Sequence, residues 1–257
     1  KKQLRRAWPG FNPSAVNPRW AGSEGINLNL STLSAPIIED LSPLSGIPIA
    51  VLNLSYQRTL SDLSPLQGMP LRNLSLQECE QITDLSPLAG LPLETLDLER
   101  AGRIENLEDI QGLQLHSLNL GRLDRIESVE PLRGMPLREL DLNSLNRLTN
   151  IDALEGMPLT YLSLSSTDVR NIQALNDMPL ETLFLRSLRL DSYEPLRGMP
   201  LRELYLDGSN FENPALLAGM SLTKLSLVGT DVTDISELRG MPLENLQVSE
   251  VRDVAPL

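Results

Sequence analysis

At 257 residues the chain carries a formal net charge of −12 and one cysteine, which excludes an internal disulfide and argues against a duplex nucleic-acid ligand, whose phosphates need a basic stripe. The hydrophobic fraction of 41% is enough for a core, but only 4% is aromatic, so aliphatic side chains must fill the interior. No apolar run approaches the ~18 residues of a membrane-spanning helix and no signal peptide is visible; membrane insertion by this chain is not expected, and the charge favours protein or peptide partners that are neutral or basic.

Residues 1–25 hold both tryptophans, Trp8 and Trp20, and lack the pattern that fills the rest of the sequence. They are expected to form an amino-terminal cap, because a terminal repeat needs its apolar side shielded. Residues 26–257 read as one continuous repeat domain. The chain opens without methionine and stops at VAPL, within a unit, so it reads as a piece of a longer protein.

The repeat is clearest from Leu63 to Asp84, LSPLQGMPLRNLSLQECEQITD. Aligning its first leucine gives Leu41, Leu63, Leu85, Leu107, Val129, Ile151, Ile172, Tyr193, Pro214, Ile235 and Val254, a spacing of 22 residues that shortens to 21 after Ile151 and to 19 at the end. A period near 20 marks stacked coils. In PLxxLxL, seen at Leu71, Leu74 and Leu76 and again at Leu93, Leu96 and Leu98, the last apolar residues alternate, which predicts a short strand with one buried face. Coils of equal length then align these strands in parallel.

Each coil also carries its own means of turning back. Asp40, Asp62, Asp84, Asn106, Ser128, Asn150, Asn171, Ser192, Asn213, Asp234 and Asp253 precede the aligned apolar residue, offering a short acceptor to the free N–H groups of a helical turn whose proline sits where no N–H is needed. Glycine then stops the turn, from Gly46 to Gly240, with Asp177 the one exception. About four residues separate cap from stop, too few for a full α-helix, so single turns or 3₁₀ segments are predicted.

The LxxLxL pattern resembles the leucine-rich repeat family over residues 26–257. That resemblance implies an α/β right-handed solenoid (a horseshoe), with one parallel sheet of about 11 short strands on the concave face and short 3₁₀ or single-turn helices on the convex face. It also implies that Cys79, three residues after Leu76, turns inward as a buried thiol. LSPLQGMPL (63–71), with Thr83-Asp84-Leu85 and Thr233-Asp234-Ile235, is similar to the repeats that follow the kinase domain in planctomycete-type serine/threonine protein kinases and related bacterial multidomain proteins. LRRAWPGFNPSAV (4–16) is similar to the LxxxNPGFDG segment that leads into them, with Trp8 for the asparagine and Asn12 for the aspartate. This implies a regulatory or sensor domain, cytoplasmic or extracytoplasmic, of a bacterial protein, with any kinase elsewhere: no glycine-rich loop, HRD or DFG motif is present. Internalin-like surface proteins, adhesins with short repeats of the same style, are the alternative, along with a carbohydrate-binding role. Their asparagine ladder is missing: the corresponding column begins Gln57, Cys79, Ala101, Leu123 and Leu145.

Catalysis finds no support. The lone histidine, His116, starts a strand, whereas Cys79 lies in a turn two coils away, beyond the reach a nucleophile and base require. No phosphate loop, cofactor motif or metal-ligand cluster is present. Alternation along the strands instead identifies a mostly small, polar open face, including Ser55, Ser75, Ser163 and Ser226, with two exceptions. One is a secondary acidic patch, Asp97, Glu99, Glu139 and Asp141, suited to a basic segment. The other is a cluster of rings: Phe184 and Tyr205 in one column on adjacent strands, with Tyr161 a coil earlier and a column over. Tyr161, Phe184, Arg186, Glu203, Tyr205 and Asp207 form the candidate binding site, while Tyr193 and Phe211 replace repeat leucines and are expected in the core.

Overall fold

The coil pattern resolves into short strands and tight turns in a computed structural model that describes residues 4, 6, 8, 16–17, 25–31 and 38–249. Trp20, Val251, Asp253, Val254 and most of the expected cap lie outside the described residues. The chain divides into two compact units, residues 1–126 and 127–257.

In the first unit, β1 (Val16–Asn17) pairs antiparallel with β2 (Ile26–Asn29). The next strands, β3 (Ile49–Asn53), β4 (Asn73–Ser75), β5 (Thr95–Asp97) and β6 (Ser117–Asn119), add one coil at a time in parallel. Register follows the repeat, with Leu52, Leu74, Leu96 and Leu118 side by side, because a shift of one residue would turn every leucine out of the core. Leu4 and Trp8 are buried, and the Trp8 N–H donates to the Leu4 carbonyl (2.9 Å).

The second unit repeats the scheme with β7 (Glu139–Asp141), β8 (Tyr161–Ser163), β9 (Thr182–Phe184), β10 (Glu203–Tyr205), β11 (Lys224–Leu227) and β12 (Asn245–Val248). Leu140, Leu162, Leu183, Leu204, Leu225 and Leu246 share one row. Loss of one residue per coil after Ile151 leaves the pairing intact, because it is taken from the connecting segment.

The acceptor column works as the sequence predicts, by a slightly different geometry. Asp40, Asp62, Asp84, Asn106, Ser128, Asn150, Asn171, Ser192, Asn213 and Asp234 each accept from the backbone N–H two residues on, at 2.7–3.2 Å. These are Asx- or Ser-turns leading into 3₁₀ turns such as Ser42–Leu44 and Ser64–Leu66. Each turn ends on a left-handed residue, glycine at φ 73–81° or Asp177 at φ 61°. A Cβ at Gly68 would meet nothing within 4 Å, so conformation rather than space selects glycine there.

A second left-handed column follows the strands and is not legible as a glycine pattern: Tyr56, Glu78, Arg100, Arg122, Ser144, Ser166 and Ser187 have φ of 54–68° before glycine takes over at Gly208 and Gly229. The inter-coil bond from this position, for example Glu78 N–H to the Glu99 carbonyl (2.9 Å), helps to hold a conformation that costs a non-glycine residue of order 1 kcal/mol.

The core is almost wholly aliphatic, with a few polar groups that each find a partner. Cys79 is fully buried and its thiol donates to the Leu54 carbonyl of the preceding coil (3.2 Å). One coil earlier Gln57 accepts from the Ile38 N–H and donates to the Leu30 carbonyl, both at 2.9 Å. In the second unit Tyr193 and Phe211 are buried as expected and meet edge to face at 5.0 Å. The Tyr193 hydroxyl donates to Asn210 Oδ1 (2.9 Å), so the phenol enters the core without an unsatisfied group.

Candidate functional site

Three strands of the second unit place the predicted aromatic cluster. Phe184 and Tyr205 are register partners on β9 and β10, and their rings stack at 4.3 Å with 1° between planes. Tyr161 on β8 pairs with Thr182, one column over, yet its ring tilts to within 5.6 Å of Phe184. All three side chains are half-buried.

Charged groups organise themselves around the rings. The Arg186 guanidinium lies 5.4 Å from the Phe184 centroid and 4.8 Å from that of Tyr205, within cation–π range, and its Nε donates to Asp207 Oδ2 (2.7 Å). Glu203 accepts from the Lys224 ammonium (2.8 Å) and from the Tyr205 hydroxyl (3.0 Å). The bond from Lys224 foremost holds the Glu203 carboxyl below the usual carboxylate range. Burial raises the Tyr205 phenol, helped by its bond to Glu203. The structure therefore brings together all six predicted residues.

Two further features of this face bear on the site. The acidic set divides between the units, Asp97 and Glu99 in the first, Glu139 and Asp141 in the second. Asp97 and Glu99 are engaged by Ser75 (3.2 Å) and Gln77 (2.8 Å), but Glu139 stands directly beside Tyr161 in register. The Tyr161 phenol is raised by burial first and then by the Asp141 and Glu139 charges, so acidic and aromatic groups make one continuous site there. Val228 is 42% exposed and its N–H donates to Asp207 Oδ1 (3.3 Å), adding an apolar surface beside that carboxylate.

Part of the expected open face is closed. Ser55, Ser163 and Ser226 are only 3%, 4% and 2% exposed. A serine flanked in register by larger side chains, as Ser163 is by Asp141 and Phe184, sits below their level and is covered.

His116 is exposed, while burial pushes the Cys79 thiol up to about 12, so this cysteine is a protonated core group. No cluster of three or more metal-ligating side chains occurs among the described residues, and no helix among them is long and apolar enough to cross a membrane.

The repeated strand and 3₁₀ turn define a leucine-rich repeat fold. No family model and no curated protein matches the chain. Among solved structures it is similar to internalin InlF from Listeria monocytogenes, at 23% identity and a TM-score of 0.51, over 83% of this chain and 78% of that one. It is also similar to internalin C2 from the same organism, at 19% identity and a TM-score of 0.60, over 85% and 87%. At such identities the likeness establishes the fold.

Proposed function

We propose that this chain is a non-catalytic protein-interaction module whose partner docks on the open face of the second unit, at Tyr161, Phe184 and Tyr205 with Arg186, Glu203 and Asp207 around them. The observation that carries this reading is the contact of three half-exposed rings in a chain with nine aromatic residues in all. Such a cluster offers large apolar area at small entropy cost, and interface energy concentrates at sites of this kind. Glu139 and Asp141, at the Tyr161 end, suit a basic group on the partner.

The repeat consensus LSPLxGMPL supports a host of the planctomycete type, in which the module is the regulatory or sensor part of a larger bacterial protein such as a serine/threonine kinase. A cell-surface adhesin or carbohydrate-binding module of the internalin kind is the second reading, favoured by the fold likeness and the rings. Flanking coding sequence separates them: a kinase domain and membrane span in one case, a secretion signal and wall anchor in the other.

For any partner isolated, Phe184→Ala weakens binding by about 2 kcal/mol or more, whereas Ser75→Ala in the first unit leaves it unchanged. Calorimetric titration of both variants, with circular dichroism to confirm folding, decides the matter; equal affinities would move the site away from this face.

A further inference from the structure

Arg186 is held in a way that leaves its recognition chemistry unused. Its Nε is committed to Asp207, and Asp207 is itself fixed by the Ser226 hydroxyl and the Val228 N–H (3.3 Å), both on Oδ1. Ser226 is buried beneath this arrangement. The guanidinium lies beside the stacked pair, 5.4 Å from the Phe184 centroid and 4.8 Å from that of Tyr205. Its two terminal nitrogens make no hydrogen bond among the described residues, and the side chain is 46% exposed. Lys224, the nearby ammonium, is already bonded to Glu203.

A guanidinium fixed through Nε presents its Nη donors as a ready-made fork, the geometry that matches a carboxylate with two parallel bonds. Much of the rotamer entropy that binding would cost has already been lost to the rings and to Asp207. We infer that Arg186 is the receptor for a carboxylate side chain of the partner protein, and that the rings beside it take the apolar residue next to that carboxylate. This rests on the docking site proposed above and names the group it recognises. The choice of carboxylate over phosphate follows from charge: Asp207 and Glu203 already offset Arg186 and Lys224, and Glu139 and Asp141 on the neighbouring strand leave the surroundings net negative, which disfavours a dianion more than a monoanion. An aspartate or glutamate beside an apolar residue, with a basic residue directed toward Glu139 and Asp141, is the partner chemistry that fits.

The test is a nuclear magnetic resonance titration of the full chain, following the Arg186 Nε–H and the Phe184 and Tyr205 rings, with 3-phenylpropionate, 3-phenylpropanamide and inorganic phosphate as probes. The expected result is that phenylpropionate shifts all three groups and binds at least about fivefold more tightly than the amide, as a charge-assisted pair should. Arg186→Gln makes the two probes equal, and Arg186→Lys restores part of the difference. If acid and amide bind the native protein equally and both are lost in Phe184→Ala, the rings form a site but Arg186 is no carboxylate receptor. If neither probe shifts the rings, the docking site fails together with the inference. Tighter binding of phosphate than of phenylpropionate would overturn the choice of carboxylate.

Discussion

In the first unit the open face is knitted by polar bonds from coil to coil, Ser55 to Ser75 (2.8 Å), Ser75 to Asp97 (3.2 Å) and Gln77 to Glu99 (2.8 Å). In the second unit the column that corresponds to Ser75 and Asp97 carries Phe184 and Tyr205, with Tyr161 one column over. The first arrangement satisfies its own polar groups, whereas the second leaves half-exposed rings and the Arg186 fork. A similar contrast runs through the inward column. Gln57 and Cys79 reach back to carbonyls of the preceding coil, but Thr167 and Thr230 bond carbonyls three residues earlier in their own coil, both at 2.8 Å. The lesson is that leucine rows and turn columns fix the backbone, leaving the remaining positions free to make one unit self-contained and the other receptive.

The largest expected effect probes the first unit alone, since it holds the only cysteine. With its thiol fully buried and raised to about 12, Cys79 should react with a disulfide reagent at pH 8 roughly a thousandfold more slowly than in the urea-unfolded chain, because the thiolate is the reactive form. Labelling of the native protein at the free-thiol rate would show that the Cys79–Leu54 contact does not hold.

The counterpart in the second unit is Phe211→Ala, which removes a fully buried ring from its contact with Tyr193 and should cost about 3–5 kcal/mol. Urea denaturation followed by tyrosine fluorescence measures it, and a loss under 1 kcal/mol would mean the pocket collapses freely. Smaller still is Asn171→Ala, which deletes the acceptor for the Gln173 N–H (2.8 Å) and should cost about 1 kcal/mol. The same substitution at Asn106 of the first unit, bonded at 3.1 Å, should cost a similar amount if the turn column serves both units alike.

The smallest effect is a dependence on acid. The Asp84 carboxyl is held below the usual range by the Ser86 hydroxyl and N–H, Asp40 by the hydroxyl and N–H of Ser42, and Asp234 by the N–H and hydroxyl of Ser236. A carboxyl whose folded pKa is depressed contributes stability that is present above its unfolded pKa, near 4, and is lost as pH falls through the folded value. Stability should therefore decline on the acid side below about pH 4, and Asp84→Asn should make that decline shallower in melting curves recorded from pH 6 to pH 2. An identical acid limb in the variant would show that this member of the column contributes nothing through its charge.

Much of the architecture follows from local rules that sequence displays directly. Leucine spacing sets strand and coil length, an acceptor two residues before the first turn N–H sets the turn, and glycine ends it, because each depends on residues within a few positions of one another. The site was legible to the extent that it depends on strand alternation: Phe184 and Tyr205 had to share a column. The left-handed column at Tyr56, Glu78 and Arg100 was hidden because bonds from the following coil, rather than glycine, hold it there. Gly102 had a similar concealed reason, since a Cβ there would come within 2.6 Å of the Glu80 carbonyl of the preceding coil.

By itself, then, the sequence determined the repeat, the parallel register, the aliphatic core and the residues that line the open face. Only the tertiary structure decided which face positions are exposed and which are covered, that the Tyr161 ring reaches Phe184 across a column, that Glu139 and Asp141 adjoin the rings, and that Asp207 orients Arg186. Each of these turns on side-chain reach and height between residues about twenty positions apart, and the chain records the distance between coils but not the rotamers that cross it.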